Sequence, residues 1–339
     1  MGRWFVNRLA WLLLTLLGVT FVTFFVLDRA PVDRAELEAM RATESGSFAD
    51  AAERAAAIQR LRIRYGMVDP DTLEPAPLWR RYAAWLGNAA TLRFAGPSED
   101  HEQLWRRVGQ ALPVTMLLGG CSLTIALVVG LAGGLWLGRR VGSARERWAS
   151  AGMLVLLGIP EFLLGSLLLL AFSVVWVQWF PTGGLRSDGA ERWTFAAQLA
   201  DFAWHLALPV MVMAIGPTVM VTRFVRDAVA RASGAAFVAN LRALGLGRRV
   251  VARRLLRHGS TPVATLAGGL LPMLVGGSIV VENMFSLDGL GHLAFEAVRR
   301  QDQAMVMVLV LLTSVVTLLA LLLSDLLHRL VDPRVRLQV

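Results

Sequence analysis

Val108-Gly-Gln-Ala-Leu-Pro-Val-Thr-Met-Leu-Leu-Gly-Gly-Cys-Ser-Leu-Thr-Ile-Ala-Leu-Val-Val-Gly-Leu-Ala-Gly-Gly-Leu-Trp-Leu-Gly138 runs for 31 residues without one charged side chain, and an arginine pair closes it at either end. The hydrocarbon of a bilayer is crossed by about 20 consecutive apolar residues in a helix. This stretch is long enough to cross with turns to spare. Five further stretches have the same character: residues 9–27, 148–185, 202–222, 259–281 and 304–324. The stretch 148–185 is interrupted only by Glu161 and is long enough for one span plus a re-entrant or interfacial tail. The expected fold is therefore an all-α membrane protein with six transmembrane helices.

Composition agrees. Of 339 residues, 55% are hydrophobic and 17% charged, and the mean hydropathy is +0.55. Soluble domains carry about 25% charge. All 34 basic residues are arginine, and lysine is absent. That absence excludes a phosphate loop ending in Gly-Lys-Ser/Thr, a Schiff-base lysine and a kinase-type lysine. The chain has no usual machinery for hydrolysing ATP by itself. Cys121 is the single cysteine, so no internal disulfide and no Cys-x-x-Cys site exists. His101, His205, His258, His292 and His328 are scattered and form no His-Glu-x-x-His pattern. Catalytic, cofactor and metal sites are not expected in this chain.

The net charge of +9 is unevenly placed. With the N-terminus inside, residues 1–8, 139–147, 223–258 and 327–339 face the cytoplasm and hold 18 arginines. The short outer loops, 186–201 and 282–303, hold four. Arginine in short loops sets orientation, so both termini are expected in the cytoplasm. The basic charge thus follows the membrane side, and a nucleic-acid partner is not expected. The first apolar stretch is longer than a secretory signal core, and Asp28-Arg29-Ala30 is a poor cleavage site, so an uncleaved first helix is expected.

The chain accordingly divides into an N-terminal transmembrane helix (1–27), an extracytoplasmic segment (28–107), a five-helix core (108–326) with an inner loop at 223–262, and a cytoplasmic tail (327–339). In the outer segment, residues 35–64 are rich in Ala, Glu and Arg and read as a solvated helix. Trp79, Tyr82, Trp85 and Leu86 then recur at helical spacing. Such a helix either lies on the membrane surface or packs against the transmembrane bundle. Glycine pairs at 119–120, 133–134, 268–269 and 276–277 suit close helix packing in lipid. Prolines at 113, 160, 209, 217, 262 and 272 kink helices or mark their ends. Membrane-embedded carboxylates, the usual markers of a pathway, are scarce. Glu161 follows Pro160 in the third span, Glu282 ends the fifth, and Asp325 ends the sixth.

The inner loop has a pattern of its own. A short, Ala-rich helix, Ala235-Ala-Phe-Val-Ala239-Asn240-Leu241-Arg242-Ala243-Leu244, is stopped by Gly245-Leu246-Gly247. A strongly basic amphipathic helix with Arg248, Arg249, Arg253, Arg254 and Arg257 then returns to the membrane. Two readings fit these residues. The loop rests on anionic headgroups, at about 1 kcal/mol per arginine, or it is a compact knob that docks into a cytoplasmic partner.

These residues resemble the membrane permease subunits of bacterial ABC importers of the dipeptide, oligopeptide and nickel class. The loop is similar to that family's version of the Glu-Ala-Ala–Gly coupling motif, with its glycine at Gly245 and with Arg242-Ala243 and Leu246 in place. Arg249-Val250, Arg253, Leu256-Arg257 and Pro262 keep the family spacing. Ala239, Asn240 and Leu241 replace its usual Arg-Thr-Ala-like triplet, and Leu244 stands where lysine is common. Similar stretches extend over nearly the whole chain: Pro31-Val32-Asp33, Tyr82 with Trp85-Leu86-Gly87-Asn88, Leu112-Pro113-Val114-Thr115, Ile159-Pro160-Glu161-Phe162, and Phe180-Pro181-Thr182-Gly183-Gly184. Glu282-Asn283-Met284-Phe285-Ser286-Leu287-Asp288-Gly289-Leu290-Gly291, Gln301-Asp302, Asp325 and Asp332-Pro333-Arg334 complete the series.

The resemblance implies a type I ABC importer permease in the bacterial inner membrane, forming half of a pore for peptides or similar small solutes. It implies as partners a second homologous permease, two cytoplasmic ABC ATPases that bind ATP and Mg, an extracytoplasmic substrate-binding protein, and membrane lipid. Ala239, Asn240, Leu241, Arg242, Ala243, Gly245, Leu246 and Arg249 would contact the ATPase. Pro160, Glu161, Glu282 and Asp302 are candidates for gating or for the pathway. A stand-alone channel or ion-driven carrier is the alternative, and the scarcity of membrane carboxylates counts against it. A membrane anchor or assembly scaffold without transport activity is a further alternative.

Overall fold

A computed structural model describes residues 2–29, 34–44, 50–70, 72–91, 101–175, 179–233, 243–245, 247, 250, 254, 270 and 279–331. Among these residues the chain is helical, with one isolated β-bridge between Val68 and Pro75. The helices are α1 (Gly2–Asp28), α2 (Arg34–Glu44), α3 (Ala51–Arg64), α4 (Leu78–Ala90), α5 (His101–Gly138), α6 (Ala144–Gly158), α7 (Glu161–Leu169), α8 (Phe195–Ser233), α9 (Ile279–Met284), α10 (Leu290–Arg299) and α11 (Gln303–Val331). Two compact units contain them. One comprises Met1–Gly109 with Glu296–Val315, the other Gln110–Phe295 with Val316–Val339.

Four helical stretches are long and apolar enough to cross a membrane: Phe5–Asp28, Gln103–Gly138, Phe195–Ala232 and Gln303–Leu326. They correspond to the first, second, fourth and sixth expected spans. The third differs from a straight crossing. Its residues form α6 and α7, which meet at an angle of 98°. The cause is Pro160. Its ring disfavours helical backbone at the preceding residue, and Ile159 is extended at φ −86°, ψ 123°. Helix resumes at Glu161 and passes into a π-turn at Leu170–Val175. The expected fifth span, 259–281, lies outside the described residues except for Leu270 and its last turn, which begins α9. The tail beyond 331 and Pro31-Val32-Asp33 also lie outside them.

In the first unit, the stretch 35–64 is two helices rather than one solvated helix. α2 packs on α3, Ala35 and Ala39 are fully buried, and Arg62 pairs with Glu36 at 2.9 Å. A small-residue face allows that approach. Of the two readings of α4, packing against a membrane helix is the one found. Tyr82 shares a hydrogen bond with the Thr20 hydroxyl at 2.9 Å and donates to the Leu17 carbonyl at 3.1 Å. Its ring meets Phe21 and Phe24 of α1 edge-on and stacks on Trp85, while Arg81 pairs with Asp28. Trp79 is left outward. Elsewhere α1 presents Trp11, Leu14 and Val22 outward, an apolar surface suited to lipid and not to water.

In the second unit, α5 and α8 pack along a glycine stripe. A Cβ at Gly130 would stand 2.7 Å from Val221 Cβ, one at Gly134 2.5 Å from Val225 Cβ, and one at Gly138 2.7 Å from Val229 Cβ. Glycines four residues apart lie on one helix face, so the two backbones approach closely and dispersion contacts accumulate without a hydrophobic drive from lipid. The sequence pattern that marks this stripe is the i, i+4, i+8 spacing, not the glycine pairs: Gly133, beside Gly134, has only ordinary contact with Thr222. A second core joins Leu118 of α5, Leu208 and Val212 of α8, Val281 and Phe285 at α9, and Leu287.

Candidate functional site

The 98° bend opens a cavity of about 610 Å³ between the end of α6, the start of α7 and the middle of α8. Leu156, Leu157, Ile159, Pro160, Glu161 and Leu164 form one side, and Val212, Met213, Ile215, Gly216, Pro217 and Met220, with Leu270, the other. That volume is in the range that holds small molecules. Glu161 is the one ionisable group among these lining residues. It occupies the first turn of α7, where unpaired N–H groups favour negative charge. Opposite it, Pro217 lies inside α8 and has no N–H for the helical ladder. The arrangement can accommodate a solute with apolar and cationic or donor groups. Among the described residues lining it there is no nucleophile–base pair.

The other residues singled out in the sequence have different places. Glu282 does not join Glu161 at the cavity. It is completely buried, with Oε1 accepting from the Thr115 hydroxyl at 2.8 Å and Oε2 from the His292 backbone N–H at 3.0 Å. Thr115 Oγ1 in turn accepts the Leu290 N–H at 2.7 Å, so one carboxylate ties α5 to the turn that opens α10. Gly289 and Gly291 leave room for it: a Cβ at either would strike the carboxylate. The Gly-Leu-Gly run is therefore a seat for Glu282. Asp302 caps α11, its Oδ1 accepting the Met305 N–H at 3.0 Å. Pro160 is the bend itself.

Of the expected ATPase-contacting residues, Ala239, Asn240, Leu241, Arg242, Leu246 and Arg249 lie outside the described residues. Ala243 is helical, Leu244 and Gly245 turn, and a new turn starts where the Val250 N–H bonds the Gly247 carbonyl at 2.9 Å. Gly245 has φ +70°, the left-handed conformation in which glycine ends a helix. Leu244 beside it is 76% exposed.

Sequence reasoning missed one cluster in the same unit. Arg226 of α8 donates through Nε (3.1 Å) and Nη2 (2.6 Å) to a single oxygen of Glu146 in α6. Glu146 was legible as half of a capping box, since Ser143 precedes it by three residues and accepts its N–H at 3.2 Å. Its partner, 80 residues away, was not.

The profile of the family described as "binding-protein-dependent transport system inner membrane component" matches residues 130–337. The chain is 28% identical over 338 residues to the oligopeptide transport system permease protein AppB of Bacillus subtilis, covering 99% of each chain. It is 26% identical over 353 residues to the dipeptide transport system permease protein DppB of Escherichia coli K12, again covering 99% of each. The peptidoglycan transport system permease protein YejB of Agrobacterium fabrum is 26% identical over 364 residues, covering 99% of this chain and 98% of its own. Four long apolar helices, a bent pair between them and a family match over more than half the chain agree: the chain belongs to the binding-protein-dependent transport system inner membrane components, as an ABC-importer permease subunit of the bacterial inner membrane and not an enzyme.

Proposed function

We propose that the chain forms half of the translocation pore of a peptide importer, with a second homologous permease supplying the other half. The observation that carries this reading is the cavity at the α6–α7 bend, where Pro160 and Glu161 line one side and Gly216 and Pro217 of α8 the other. A proline-broken helix with one carboxylate beside an apolar chamber suits a small solute bearing an amino group and apolar side chains. The relatives named for oligopeptides and dipeptides support that substrate class. Six spans place both termini in the cytoplasm, as the arginine distribution favours. The outward apolar side chains of α1 then meet lipid.

Power comes from elsewhere. Two cytoplasmic ABC ATPases bind ATP and Mg, and an extracytoplasmic binding protein delivers the solute. This chain itself carries no cofactor. Coupling runs through the 235–247 helix: Ala239, Asn240, Leu241, Arg242, Ala243, Gly245, Leu246 and Arg249 dock in a groove of the ATPase. The left-handed Gly245 and exposed Leu244 give the compact tip such a groove accepts. Closure of the ATPase dimer on ATP then moves the loop and shifts a two-state pore between inward- and outward-facing forms.

Co-purification from native membranes tests the reading. The expected result is a stable complex with an ATPase that contains a phosphate loop, and ATP-dependent, vanadate-sensitive uptake. Gly245→Glu is expected to abolish uptake while membrane insertion stays normal, because a side chain at φ +70° strains the turn and adds bulk at the tip. Purification as a solitary, ATP-independent transporter would overturn the reading and favour an ion-driven carrier.

A further inference from the structure

Arg226 lies in the last third of α8, seven residues before the end of that helix and at the start of the inner loop. Glu146 lies in the first turn of α6. The two meet in a site closed on both sides. Glu146 Oε1 accepts Arg226 Nε and Nη2 and the Ser150 hydroxyl at 2.9 Å, while Oε2 accepts the Gly142 N–H at 3.3 Å. Arg226 Nη1 turns the other way, to Asp227 at 2.6 Å. The Glu146 side chain is 4% exposed, in a chain whose other inner-loop arginines number eight. Arg226 is 28% exposed, and such a half-buried ion pair is a poor source of stability, because desolvation and solvent screening offset its attraction.

What the pair adds is a fixed lateral link between the end of α8 and α6. Two guanidinium donors on one carboxylate oxygen hold the two helix ends together only within a narrow range of separation. From Glu146 to Gly158, α6 runs about 18 Å as an unbroken helix. It ends at the Ile159-Pro160 break, where Pro160 and Glu161 line the cavity. A displacement of the α8 end is thus delivered through Arg226 to Glu146, along α6, and to the bend. We propose that Glu146 and Arg226 are positioning residues for transport, a brace that transmits movement of the inner loop to the Pro160 bend. This rests on the coupling role proposed for the 235–247 helix.

The test uses the complete importer, with partner permease, ATPases and binding protein, reconstituted in liposomes. The readout is the number of peptides imported per ATP hydrolysed. Glu146→Gln and Arg226→Gln are each expected to lower that ratio at least fivefold while ATP hydrolysis stays within about twofold of the parent. Because both remove one link, the double variant is expected to be no worse than either single. Arg226→Lys keeps the charge without the two-donor grip and is expected to fall between. In a Cys121→Ala background, Glu146→Cys with Arg226→Cys is expected to recover the ratio when joined by a short bifunctional thiol reagent, and to lose it unjoined. The tethered form keeps the test decisive if a Gln variant assembles poorly.

A wild-type ratio in both single variants, losses that multiply in the double, or a tether that restores assembly without restoring the ratio would each overturn the proposal. Failure of the underlying coupling role looks different: the unsubstituted importer would then neither hold an ATPase nor need ATP.

Discussion

Thr115→Val removes one hydroxyl and changes the shape of the side chain hardly at all, yet two hydrogen bonds depend on that oxygen. It donates to Glu282 at 2.8 Å and accepts from the Leu290 N–H at 2.7 Å, in a site where Thr115 and Glu282 are both fully buried. In membrane proteins a side-chain hydrogen bond contributes about 0.6 kcal/mol on average, because the opened state finds other partners. Here the Leu290 N–H is fixed by the start of α10 and has no other acceptor within its turn. A buried group left unpaired costs about 1–3 kcal/mol. Taking about 1–2 kcal/mol for each bond, the substitution costs about 2–4 kcal/mol. At 1.4 kcal/mol per factor of ten, opening of this region becomes about 30-fold to about 700-fold more frequent.

Cys121 supplies the assay. It is the single cysteine, lies six residues along α5 from Thr115, and packs against the Leu118–Phe285 core. Labelling by a hydrophilic thiol reagent reports opening of that core when reclosing is fast. Thr115→Val is expected to accelerate labelling by that factor, and Thr115→Ser, which keeps the oxygen, by less than about fivefold. Labelling of Thr115→Val within about twofold of the parent would refute the assignment of Glu282 and Thr115 as the tie between α5 and α10.

The glycine stripe predicts a sharp contrast between alanine substitutions. Gly134→Ala is expected to lower thermal stability in detergent, its Cβ being 2.7 Å from the Thr222 carbonyl, while Gly120→Ala, with nothing within 4 Å, is neutral or slightly stabilising through helix propensity. Gly216→Phe is expected to fold and assemble, since no atom lies within 4 Å of its Cβ site. It should nonetheless cut peptide uptake at least tenfold by filling the cavity, and normal uptake would remove that cavity from the pathway. Asp302→Ala removes the α11 cap at a cost of about 1 kcal/mol, read as about fivefold faster hydrogen exchange at Met305, with Asp302→Asn close to the parent.

Sequence alone settled what depends on composition and on short-range rules. Charge-free runs of about 20 residues require helices that satisfy their own backbone in lipid, and four of the six expected runs appear as continuous helices. Pro160 marked a break, because a proline's effect on its neighbour is local. Gly245 marked a helix end for the same reason. The missing lysine excludes a phosphate loop from the chain by composition alone.

What the tertiary structure decided are the long-range pairings. Glu161 and Glu282 stood as like candidates in the sequence, one carboxylate within the third apolar run and one at the end of the fifth. Folding sends Glu161 to a cavity because Pro160 turns α7 away from α6, and sends Glu282 into a closed web because Thr115, 167 positions earlier, and the α10 turn meet there. The Glu146–Arg226 link was equally hidden, since one carboxylate near a helix start can pair with any of many arginines. Hydropathy is an average over neighbours in the chain and carries no record of which helices touch. Close packing supplies that record, through glycines at 130, 134 and 138 that let α5 and α8 meet and through hydrogen bonds that only one register satisfies.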